Sequence, residues 1–205
     1  MSNAPEQGHA APSTAIADPT PIGLICLAIG CAALTPMAFG YSLTPSGLKT
    51  AAIFCLLFGA GGQMIAGIGN LLNKNLYGGT LFTAFAFNWV INWWVLEGLS
   101  RGQVADGGVL FAVDVCFFII FLVFTYGFGF FSWLLMAFLI DIDILYAARI
   151  ARHFGGGEWL GIVIGVCTVA LGAISLWIAF GELINPVAGR PIFAVPGPVF
   201  KARAK

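Results

Sequence analysis

The chain has 205 residues, of which 60% are apolar and only 9% charged, and its formal net charge is zero. A soluble domain carries about 25% charged residues, so this chain lacks the polar side chains to cover a water-facing surface of its size. Its mean hydropathy of +0.95 points to a lipid bilayer, and the absence of any basic patch excludes a nucleic-acid partner.

In chain order, residues 1–17 are rich in Ala, Pro, Ser and Gln without periodicity, which predicts a disordered N-terminal tail. No Lys or Arg precedes the first apolar run, whereas a cleaved secretory signal begins with a basic region. Crossing the hydrocarbon core takes about 20 apolar residues. Segments of that kind run from about Ile22 to Gly40, Thr50 to Asn70 and Thr80 to Leu96. The stretch from Gly108 to Ile150 would be roughly 60 Å long as one helix, twice the bilayer core. Tyr126-Gly127-Phe128-Gly129 offers a break, which gives Val109–Tyr126 and Phe130–Ile150. The last span is Trp159 to Ile184. Breakers fill the connections: Pro45-Ser46-Gly47, Asn73-Lys74-Asn75, Gly98 to Gly108, and Gly155-Gly156-Gly157. Trp89, Trp93, Trp94 and Trp159 are expected at the membrane interface.

The expected fold is an all-α membrane protein, a bundle of six transmembrane helices forming one domain over residues 18–190, with a C-terminal tail over 191–205. An even number of crossings puts both termini on one side. That side would hold Lys74, Arg190, Lys201, Arg203 and Lys205, against Lys49, Arg101, Arg149 and Arg152 on the other. Five against four leans only slightly towards cytoplasmic termini.

Glycines crowd the second span (Gly59, Gly61, Gly62, Gly67, Gly69) and the sixth (Gly161, Gly165, Gly172). In lipid such residues let helices approach closely. Polar side chains within spans are expensive and face the bundle interior. Gln63 lies mid-span, and Asn88 and Asn92, four apart, share a helix face that Phe85 extends. These amides would line a path for a small solute or hydrogen-bond between helices. Asp141 and Asp143 are two apart and diverge on a helix, which argues against a paired acid and base on one substrate. Asp141 is a candidate proton or anion coupling residue, with a salt bridge to Arg149 as the structural alternative. Glu182, at the end of the last span, is a second coupling candidate or an interface anchor. Cys26, Cys31, Cys55, Cys116 and Cys167 all sit in apolar runs without metal-ligand spacing. No metal or cofactor is expected. Asp114 and Asp141 lack the GxGD context of an intramembrane aspartyl protease, and no Ser/His or HExxH arrangement occurs, so the chain reads as a non-enzyme.

Four blocks resemble the acetate uptake transporter family, the succinate–acetate permeases. Asp18-Pro19-Thr20-Pro21-Ile22-Gly23-Leu24 is similar to the NPAPLGL signature that opens that family. Gly59-Ala60-Gly61-Gly62-Gln63-Met64-Ile65-Ala66-Gly67 resembles its GGIAQIFAG, and Tyr77-Gly78-Gly79-Thr80-Leu81-Phe82-Thr83-Ala84-Phe85 its FGLTAFTSY. Gly181-Glu182-Leu183-Ile184-Asn185, with Gly189-Arg190, is similar to GEVLN followed by GR. The blocks keep the family's order from residue 18 to 190; the fourth and fifth spans match poorly.

The resemblance implies a homo-hexameric ring in the cell inner membrane and a pathway through each protomer. The substrate it implies is acetate, in some members succinate, moved by proton-linked or channel-like passage. It implies a signature at the pore mouth formed by Asp18, Pro19, Pro21 and Gly23. The family narrows its path with a Phe on helix one, a Tyr on helix three and a Leu on helix five. In register, these fall on Leu27, on Phe85, and on Ile140 or Asp141. Leu27 removes a ring and Phe85 a hydroxyl; the family's threonine pair reads Gly30-Cys31; and Asp18, in place of Asn, adds a charge that repels anions. A channel for a small neutral solute, such as an amide or ammonia, is the alternative transport reading. A structural or assembly subunit without a pore is the alternative from another class.

Overall fold

The structure is a computed structural model that describes residues 16–201. The tail predicted over 1–17 lies outside the described residues except for Ile16 and Ala17. Six helices follow: α1 (Thr20–Ala38), α2 (Pro45–Leu72), α3 (Leu76–Ser100), α4 (Gly107–Phe128), α5 (Trp133–His153) and α6 (Trp159–Ala188). No strand occurs among the described residues. Four of the helices, α1, α2, α4 and α6, are long and apolar enough to cross a membrane, and the chain is an integral membrane protein.

α2, α3, α4 and α6 outrun their apolar segments, while α1 and α5 are shifted along theirs at equal length; hydropathy does not register the capping that sets where a helix starts. The side chains of Thr44, Asn75, Asp106 and Ser132 each accept a hydrogen bond from a first-turn backbone N–H of α2, α3, α4 and α5 respectively. Pro45, expected in a connection, instead forms the first turn of α2. Proline has no N–H to lose there, and its φ already suits a helix. Pro186, expected to follow the last span, lies inside α6, which runs on to a left-handed Gly189. The break near Tyr126–Gly129 falls slightly later, between Phe128 and Trp133. Within α2, residues Cys55–Gly62 are π-helical, which no hydropathy pattern foretells.

α1 lies at the centre, packed chiefly on α6 and α2; α3 packs on α2, and α5 on α4 and α6. Small residues allow the approach. A Cβ at Gly23 would lie 2.6 Å from both the Ala66 Cβ and the Phe82 ring. Pro19 meets Gly69 of α2 and Pro21 is also buried, so at least Pro19 and Gly23 of the four signature residues serve the packing of α1 on its neighbours. α4 is peripheral, with Val109, Ile119, Leu122 and Val123 pointing outward. Cys26, Cys31, Cys55 and Cys167 are buried and free; Cys116, in an apolar run like them, is exposed on the outer surface of α4.

The chain beyond α6 folds back on the bundle. Asn185 Oδ1 accepts from the Ile192 and Phe193 N–H groups at 2.8 and 3.0 Å, and its Nδ2 donates to the Phe193 carbonyl at 2.7 Å. Further on, the Trp133 N–H donates to the Gly197 carbonyl, and the Val199 N–H to the Gly129 carbonyl.

Candidate functional site

Two cavities lie in series inside the bundle. One, of about 200 Å³, opens where α1 begins and α6 ends, on the side of the chain termini. We call it the near cavity; Asp18, Gln63, Phe82, Phe138, Leu139 and Glu182 are among its walls. The other, of about 260 Å³, lies towards the opposite face. This far cavity is walled by Asn88, Trp89, Asn92, Ile142, Tyr146 and Arg149, among others. Leu27 and Phe85 line both cavities and so form the partition between them.

Both partition residues are held firmly. Leu27 is 1% exposed, and the Phe85 ring stacks on Phe121 with centroids 4.9 Å apart. Phe121 in turn stacks on Phe117 at 5.6 Å. On α5 the sequence register pointed to Ile140 or Asp141 as the narrowing residue. Ile140 is 41% exposed, and neither residue lines a cavity. Leu139 lines the near cavity and Ile142 the far one. Helical spacing puts 139 and 142 on one face with 140 and 141 turned away.

The polar lining differs between the cavities. Gln63, fully buried, places both amide atoms where no protein group pairs with them. A buried amide without a partner is uncommon, because desolvation costs about 1–3 kcal/mol that nothing offsets. A solute or water passing through the near cavity would supply the missing bonds. In the far cavity the Trp89 indole N–H and the Tyr146 hydroxyl are likewise buried and unpartnered, beside the half-buried Asn88 and Asn92. Trp89, expected at the interface, is thus an interior residue, 4% exposed. The signal was its position four residues after Phe85, on the same helix face.

Asp18 accepts the Thr20 N–H at 2.9 Å just ahead of α1, and it lines the near cavity together with Glu182. Asp141 lies among α1, α5 and α6, with its Oδ2 buried and unpaired. Arg149, its suggested partner, instead pairs with Asp114 on α4: Nε donates to Oδ2 at 3.1 Å and Nη2 lies 2.8 Å from Oδ1. Asp143 accepts from the Thr125 hydroxyl at 2.6 Å and links α4 to α5. Sequence reasoning passed over Tyr146 and the Asp114–Arg149 pair, whose members are 35 residues apart; only the tertiary packing of α4 on α5 brings them together.

No family model matches the chain, and no curated protein matches it. Among solved structures, the chain is similar to the bacterial acetate channel SatP, with a TM-score of 0.77 at 20% sequence identity. The match covers 88% of this chain and 99% of that one. The chain has that fold.

Proposed function

We propose that this protein belongs to the acetate uptake transporter family and passes acetate or similar short-chain monocarboxylates, with succinate as a larger candidate, through each protomer. The reading is carried by two cavities in series that meet at Leu27 and Phe85, with the unpartnered Gln63 amide on one side of the partition. Fold likeness to an acetate channel and the four sequence blocks support it independently of that geometry.

In this reading Gln63, Asn88 and Asn92 replace part of a solute's hydration shell without binding it as tightly as a full charge would. A conducting site must hold its solute weakly enough to release it. Passage is channel-like, because the carboxylates that line the path, Asp18 and Glu182, sit at its near mouth and not at the partition. Asp141 lines neither cavity, so any proton coupling through it would act from outside the path. α3 and α5 complete six crossings; at 25 and 21 residues they are long enough to span. The outward apolar surface of α4 suits a ring of subunits, here a homo-hexamer in the inner membrane with cytoplasmic termini.

Uptake of labelled acetate into proteoliposomes tests the substrate. Uptake above empty vesicles is expected, and none at any pH would overturn it. A neutral solute is the second reading, favoured by the two carboxylates at the near mouth, which disfavour an anion. Faster ammonia or amide flux than acetate flux would select it. Absence of any conductance in planar bilayers would leave a pore-free assembly subunit.

A further inference from the structure

The far cavity does not end at Arg149. A recess of about 310 Å³, lined by Leu110, Asp114, Arg149, Arg152, His153 and Ile164, shares Arg149 and Ile164 with it. The guanidinium therefore borders both spaces and stands between the recess and the cavity. It is fixed from two directions: Asp114, 4% exposed, grips its Nε and Nη2 side, and the Tyr146 ring lies 5.2 Å from Cζ. No acceptor among the described residues takes the Nη1 edge. Arg152 and His153 follow three and four residues on, on the same helix face, so the recess carries two arginines against one carboxylate.

We propose that the recess is the far vestibule of the pathway and that Arg149 is its anion-selecting residue, with Asp114 setting how strongly it attracts a small monocarboxylate. The inference rests on the pathway proposed above and adds the group that discriminates by charge. A planar guanidinium matches a carboxylate in geometry and carries a charge at any physiological pH. Alone at a partly dehydrated mouth it would trap an anion. Paired with a buried carboxylate it keeps a weaker field and one open edge, which suits entrance followed by release. Neither partition residue nor any of the neutral amides distinguishes an anion from a cation; Arg149 does.

Reversal potentials of the purified protein in planar bilayers under a sodium acetate gradient test this. R149Q is expected to lower the acetate-over-sodium permeability ratio about three- to tenfold, while R149K keeps most of it. D114N is expected to raise acetate current at low concentration and to make it saturate at lower acetate. Because R149Q strands a buried carboxylate, the double variant D114N/R149Q serves as its neutral counterpart and should show the same loss of selectivity. An unchanged ratio in R149Q or the double variant, or an unchanged saturation point in D114N, would overturn the proposal. If the wild type carries no acetate current, the substrate reading fails by itself. The same variants in sodium chloride then decide Arg149, and an equal chloride-over-sodium ratio in wild type and R149Q would refute it.

Discussion

The near and far cavities are of similar size and share two walls, yet their polar chemistry is opposite in sign. The near cavity has Asp18 and Glu182 at its mouth and a single unpartnered amide, Gln63, within. The far cavity has Arg149 at its mouth and a cluster of neutral donors, Asn88, Trp89, Asn92 and Tyr146, within. A path with one basic and one acidic end is not symmetric for an anion. In the proposed pathway it would concentrate the anion at one end and repel it at the other; α1, α3, α5 and α6 line both cavities, while α2 and α4 add Gln63 and Phe128 to the near one alone.

Removing the partition should break the comparison outright. Phe85→Ala deletes a buried ring stacked on Phe121 and is expected to destabilise the fold by about 3–5 kcal/mol, read from unfolding in detergent. By merging the cavities it should also raise conductance and blunt selection by size. Next in effect, Gln63→Leu removes an unsatisfied buried amide, so the protein should be at least as stable, by up to about 1–3 kcal/mol, while labelled acetate uptake falls about tenfold. A stability gain joined to a transport loss would separate a path-lining amide from interhelical glue. Neutralising the near mouth with Glu182→Gln should raise acetate flux about two- to threefold at low salt and little at ~1 M, where charges more than about 3 Å apart are screened. The smallest change is expected from Asn92→Leu, since Asn92 is half-buried and its neighbours supply other donors. A loss as large as that of Gln63→Leu would shift the polar focus of the path to the far side.

How far the molecule was legible in its sequence depends on what each feature rests on. The six helices follow from apolar run length, and the split of the long stretch follows from the thickness of the membrane. Their ends did not follow, because Thr44, Asn75, Asp106 and Ser132 set them by single hydrogen bonds that leave hydropathy unchanged. Gln63, Phe85, Asn88 and Asn92 could be found by helical spacing and the rarity of amides in lipid, Leu27 only through the register of the family resemblance, and the structure brings all five to the walls of the two cavities. The α5 wall was misplaced by one residue in either direction, to Ile140 or Asp141 in place of Leu139 and Ile142, since that helix matches the family blocks poorly. The Asp114–Arg149 pair could not be read at all: it joins two helices whose relative rotation no linear pattern encodes.

The π-helical stretch Cys55–Gly62 bears on this last point. Each wide turn takes up more residues than an α turn, so the stretch sets the phase between the two halves of α2, and with it the direction Gln63 faces. Deleting one residue from it would leave composition, length and hydropathy nearly untouched, yet would change that phase for everything downstream. The amide would swing off the near cavity, and Gly67 and Gly69 would leave the surfaces they meet. This membrane helix should therefore tolerate many apolar substitutions between Cys55 and Gly62 but hardly any change in the number of residues there.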